Sequence, residues 1–141
     1  MRAFWDASAI VPLCIPQAAS AVSQRLRREY REVIVWWGTP VEVQNAIARM
    51  SAKGGVNGQP AVAMTRLAAL RQSWREVLPT DQVRSLAEQL AGRHQLRAGD
   101  LFQLAAALDW CDQRPRNRPF VCFDHRLAEA ANQVGFGALT E

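Results

Sequence analysis

Cysteine is scarce. The chain of 141 residues has three, Cys14, Cys111 and Cys122, far apart and with no Cys-x-x-Cys pair. That spacing argues against a zinc ribbon or a disulfide framework and reads as reduced core thiols. Histidine is scarcer: His94 and His125 lack the helical spacing of a metalloprotease motif. Lys53 is the sole lysine, so nearly all the positive charge is arginine. No apolar run approaches ~20 residues, so no membrane span is expected. The first residues lack the long apolar stretch of a signal peptide, and a cytoplasmic location is expected. The glycine-rich stretch from Gly54 to Pro60 is not a phosphate-binding loop, because no strand precedes it and no Gly-Lys-Ser/Thr follows.

Apolar residues are abundant, at 49% against 21% charged, and the length suits one domain over residues 1–141. The net charge of +4 is compatible with a nucleic-acid partner, since arginine forks match phosphate geometry. It also fits a merely soluble protein.

Short apolar runs alternate with helical patterns. Ala3-Phe4-Trp5, Glu32 to Trp37, Trp74 to Leu78 and Phe120 to Phe123 read as buried strands, with a possible last one at Gly135 to Leu139. Helices are expected at Asp6 to Leu13 (limited by Pro12), Ala18 to Tyr30, Thr39 to about Met50, Ala61 to Gln72, Thr80 to Arg93, Arg97 to Asp112 and Asp124 to Ala131. In the sixth, Leu101, Leu104, Ala105 and Leu108 form one stripe on a 3.6-residue period. Trp36 and Trp37 face opposite ways in an unbroken strand, one into the core; for the other, core filling is the favoured expectation and a base or dimer contact the alternative. Such alternation predicts an α/β fold, a parallel sheet covered by helices on both faces, with its functional crevice at the carboxyl ends of the strands.

Three acids, Asp6, Glu42 and Asp124, stand at or shortly after strand ends where helices begin. Each has an ordinary explanation. Asp6 and Asp124 can cap helices, and Glu42 can close a capping box opened by Thr39 with Pro40 at the first helical position. Asp100 can favour the dipole of its helix. On a parallel sheet, however, the three strand-end acids share one edge. Converging carboxylates repel one another, and a cation relieves the repulsion. Oxygen-only ligands favour Mg²⁺ or Mn²⁺ over zinc.

Four segments carry a family resemblance: Asp6-Ala-Ser8-Ala-Ile-Val, the helix bearing Glu42, Leu96-Arg97-Ala98-Gly99-Asp100-Leu-Phe-Gln103-Leu-Ala-Ala-Ala, and Phe123-Asp124-His-Arg126-Leu127. Together they resemble the acidic motifs of PIN-domain ribonucleases, nearest to VapC-type toxins of bacterial toxin–antitoxin pairs. The resemblance implies a three-layer α/β/α domain with strand order 3-2-1-4-5. It implies catalytic, metal-binding carboxylates at Asp6, Glu42, Asp100 and Asp124, with Ser8 in support. It further implies Mg²⁺ or Mn²⁺ as cofactor, an RNA substrate, a cognate antitoxin and a homodimer. Arg97 and Arg126, each near a candidate acid, are the expected RNA contacts. Two departures stand out: Gly99 replaces a commoner larger residue, and Gln103 stands where histidine is frequent. Both are expected to affect substrate contacts more than metal binding.

Two other functions compete. Phosphoryl transfer with Asp6 as nucleophile would want a second acid two residues on, where the chain has Ser8. A non-catalytic RNA-binding or interaction module of the same fold would have no need of all four acids.

Overall fold

A computed structural model describes residues 1–54 and 59–141. The middle of the turn-rich stretch from Gly54 to Pro60 therefore lies outside the described residues. The elements follow one another as β1 (Arg2–Trp5), α1 (Ala7–Cys14), α2 (Ser20–Glu29), β2 (Glu32–Trp36), α3 (Thr39–Ala52), α4 (Pro60–Ser73), β3 (Arg75–Val77), α5 (Asp81–Ala91), α6 (Ala98–Trp110), β4 (Pro119–Val121), α7 (His125–Val134) and β5 (Gly137–Leu139). The five strands form one sheet in the order β3-β2-β1-β4-β5, and every pairing is parallel. This is the expected α/β architecture with order 3-2-1-4-5.

The inner strands β1, β2 and β4 read as largely apolar runs because both faces are covered, while the edge strand β3, Arg75-Glu76-Val77, is only partly buried. Alternate residues go to opposite sides. Ala3, Trp5, Val33, Val35 and Val121 pack on one face against Ile10 of α1, Val43 and Ile47 of α3 and Leu67 of α4. Phe4, Ile34, Trp36 and Phe120 pack on the other against Leu86 and Leu90 of α5, Leu104 of α6 and Leu127 of α7. Two aromatic stacks fix the second face: Phe4 on Phe120, and Trp36 on Phe102, each with ring centroids 5.4 Å apart. Trp36 is buried, whereas Trp37 continues past β2 and is 53% exposed, which corrects the favoured expectation that the second tryptophan also fills the core. All three cysteines are free and buried.

Several local expectations are corrected. Asp6 is the N-cap of α1 instead of its first residue, and the helix runs past Pro12 to Cys14, one residue beyond the expected end. The α3 N-cap is Gly38, and it makes no side-chain capping bond. Pro40 is the second helical residue, and the expected capping box of Thr39 and Glu42 does not form because both side chains turn to Gln103. Arg97 is the N-cap of α6 instead of its first residue, and the helix ends at Trp110, short of the expected Asp112. The buried face of α6 is also wider than the expected stripe. Gln103, Leu104, Ala105, Ala106 and Ala107 are all fully buried, while Leu101 and Leu108 pack at its borders. Small alanines let the helix lie close to its neighbours, so even the middle of the polar side is covered.

Candidate active site

The carboxyl ends of β1, β2 and β4 and the start of α6 bring the candidate acids to one region. Asp6 leaves β1 with its backbone N–H on Val121 O at 3.0 Å, then caps α1. Its Oδ2 accepts from Ser8 N at 3.1 Å and from the Ser8 hydroxyl, and the Cys122 thiol stands 3.5 Å away. Ser8 Oγ in turn accepts from Phe123 N at 2.9 Å. One hydroxyl thus ties the end of β1 to the segment after β4. Asp6 is only 3% exposed, and burial raises its pKa, with the Ser8 bonds opposing the rise.

Glu42 lies in the first turn of α3 and accepts from Gln103 Nε2 at 2.8 Å. Burial pushes its pKa up to about 7; Gln103 opposes this, and the charges of Asp6 and Asp100 add to it. Asp100 is half-buried in the first turn of α6. Its pKa is pushed up to about 6, first by burial and then by Asp6 and Asp124, with Arg97 pulling the other way. Asp124 is exposed and caps α7 through Leu127 N at 3.1 Å. The charge of Asp6 therefore reaches both Glu42 and Asp100, that of Asp100 reaches Glu42, and that of Asp124 reaches Asp100. None of the four forms an ion pair among the described residues.

The carboxylates are near but not gathered into a finished cage. Among the described residues, no three acidic, histidine or cysteine side chains stand as a ready ligand group. Asp6 and Asp124 each give an oxygen to a helix cap, and Glu42 gives one to Gln103. Such a set fits a hydrated hard dication, which keeps several waters and needs only one or two direct carboxylates.

A cleft of ≈ 380 Å³ opens beside the acids, lined by Gln95, Leu96, Arg97, Asp100, Asp124 and Arg126. Arg97 and Arg126 thus share a cleft with two of the acids. A neighbouring cleft shares Gln95, Leu96 and Arg126 and adds Arg93, His94 and Glu129. His125 is exposed, and the Arg118 guanidinium lies 5.7 Å over the Trp110 ring.

Two residues of the site escaped sequence reasoning in their roles. Gln103 is not at the cleft surface but fully buried behind Glu42. Gly99 lies against the Glu42 carboxylate, where an added Cβ would be 3.0 Å from Oε1. A signal was present for the first: Gln103 lies one turn beyond Asp100 and is the lone polar residue on a buried helix face.

No family model matches the chain, and no curated protein matches it.

Proposed function

We propose that this chain is a metal-dependent endoribonuclease of the PIN-domain kind, acting as the toxin of a toxin–antitoxin pair. The observation that carries the reading is a convergence of acids: at the carboxyl edge of a 3-2-1-4-5 parallel sheet, buried Asp6 raises the pKa of both Glu42 and Asp100, and Asp100 adds to the rise of Glu42, without an ion pair to any of them among the described residues. Buried like charges held together without a partner are costly, and a divalent cation is the simplest relief.

Asp6, Glu42, Asp100 and Asp124 would hold Mg²⁺ or Mn²⁺. Bound there, the cation would supply an activated water and charge stabilisation for phosphodiester hydrolysis. The protein's own part is positional. Ser8 fixes Asp6 against β4, so that carboxylate cannot rotate away. Arg97 and Arg126 face the cleft shared with Asp100 and Asp124, where forked donors can orient an RNA phosphate. The arginine-rich net charge of +4 favours the same substrate class. A cognate antitoxin, a homodimer and a cytoplasmic location belong to this reading through the motif resemblance. Exposed Trp37, Val41 and Leu78 add apolar surface suited to a protein contact. No helix among the described residues is long and apolar enough to cross a membrane.

A second reading, a non-catalytic RNA-binding or interaction module of the same fold, is favoured by one observation: the absence of a ready three-ligand group among the described residues. Incubation of antitoxin-free protein with single-stranded RNA separates the two. Cleavage with Mg²⁺ or Mn²⁺, abolished by EDTA and by Asp100→Asn, is the expected result. RNA binding without cleavage at any metal concentration would overturn the nuclease reading in favour of the module.

A further inference from the structure

Glu42 is held from two sides by residues that cannot themselves ligate a cation well. Gln103 Nε2 donates to Thr39 Oγ1 at 3.0 Å and to Glu42 Oε2 at 2.8 Å. Both amide hydrogens are thereby used, while Gln103 Oε1 is buried with no partner among the described residues. An orphaned buried acceptor is unfavourable, and an apolar side chain of similar length would avoid it. Packing alone gives only part of a reason for an amide in the middle of the α6 core: it satisfies buried Thr39 Oγ1 but leaves its own oxygen without a partner among the described residues. A carboxylate that must be kept in one orientation does give a reason, because the amide offers two donors of fixed geometry.

Gly99 acts from the other side. It is exposed at the second position of α6, and its backbone does not require glycine. What it provides is space: any side chain would begin 3.0 Å from Glu42 Oε1, at the movable end of the glutamate. A larger residue would displace the carboxylate and leave the helix in place.

We infer that Gln103 and Gly99 are positioning residues for Glu42: Gln103 ties Oε2 to the core, and Gly99 keeps Oε1 uncrowded and available to a divalent cation. The inference rests on the metal-dependent reading proposed above. It also revises the expectation that departures at these two positions touch substrate more than metal. Neither is a catalytic residue; both act through Glu42.

Titration calorimetry with Mn²⁺ on the full chain tests this, alongside thermal melts in EDTA. Gln103→Leu and Gly99→Ala should each lose ~10–100-fold in Mn²⁺ affinity, the usual effect of removing a ligand's support. The metal-free melting temperature should not fall in Gly99→Ala, since alanine is the better helix former, whereas Gln103→Leu should lower it, because buried Thr39 Oγ1 and Glu42 Oε2 lose their donor. Glu42→Ala added to Gln103→Leu should cost little further affinity, because the two act as one unit. Should Gln103→Leu fail to fold, the exposed Gly99→Ala carries the test. Unchanged Mn²⁺ affinity in the folded variants, with wild type binding normally, would overturn the inference and leave the metal reading standing. Absence of Mn²⁺ binding by wild type would remove the metal reading and the inference with it.

Discussion

Ser8 shows how much one hydroxyl can organise. It donates to Asp6 Oδ2 and accepts from Phe123 N at 2.9 Å, so a single side chain spans two crossovers of the sheet. Removing it leaves a backbone donor without its partner and a buried carboxylate without its closest hydrogen bond. Ser8→Ala should therefore lower stability by about 1–3 kcal/mol, read as a shift in the denaturant midpoint at constant slope. It should also raise the Asp6 pKa further, because the Ser8 bonds are the largest opposition to burial there. An unshifted midpoint would mean that water replaces both bonds. Asp124 is the simpler case. Its capping bond to Leu127 N was legible from the position of an Asp between a strand and a helix.

At the scale of elements, the N-terminus of α6 concentrates the tension. Asp100 and Glu42 have pKa values of about 6 and about 7, against ordinary values of 3.8 and 4.5. Folded protein thus binds more protons than unfolded protein across that window. Without metal, stability should fall as pH rises from about 4 to 7 and then level off. Asp100→Asn removes one of these groups and one cause of the Glu42 shift, so its decline over the window should be shallower. At pH 8 in EDTA it should melt at or above wild type. A saturating dication should raise wild type by about 2.7 kcal/mol at a hundredfold excess over Kd, and the variant by less. If Asp100 served only the helix dipole, the variant would instead lose about 0.3–1 kcal/mol and keep the full metal response. Thermal melts at two pH values, with and without metal, decide between these. The elements themselves were legible because their signals are local: unbroken apolar runs for strands buried on both faces, and an Asp or Thr at several helix starts. The order of the strands came through the motif resemblance. What was not legible depends on tertiary contact. The apolar spacing of α6 marks a stripe through Leu101 and Leu108, yet neighbours on several sides bury Gln103 to Ala107. Thr39 and Glu42 have the spacing of a capping box, yet the Gln103 amide, 64 and 61 positions away along the chain, takes both side chains. Local pattern yields when a distant partner offers the better bond.

At the scale of the whole molecule, charge is the property that reaches beyond the cleft. The net charge of +4 is carried almost wholly by arginine, and Arg97 and Arg126 border the same opening as Asp100 and Asp124. In free protein the acids oppose anion approach, so RNA affinity should depend on metal as well as on salt. On the proposed nuclease reading, Asp100→Asn should be cleavage-dead and hold RNA intact for measurement. Its affinity for single-stranded RNA should fall as salt rises, with a log–log slope of about 0.7 per phosphate neutralised. Arg126→Ala in that background should flatten the slope by roughly one such unit and weaken binding similarly for different RNA sequences, as loss of a phosphate contact requires. Arg114→Ala, on the exposed loop before β4, supplies the comparison. Were RNA to follow that basic loop instead of the cleft, the Arg114 variant would flatten the slope and the Arg126 variant would not. Fluorescence anisotropy over a salt series distinguishes the two paths. A slope unaffected by either substitution would place the RNA-binding charge elsewhere on the surface and remove the cleft arginines from the mechanism.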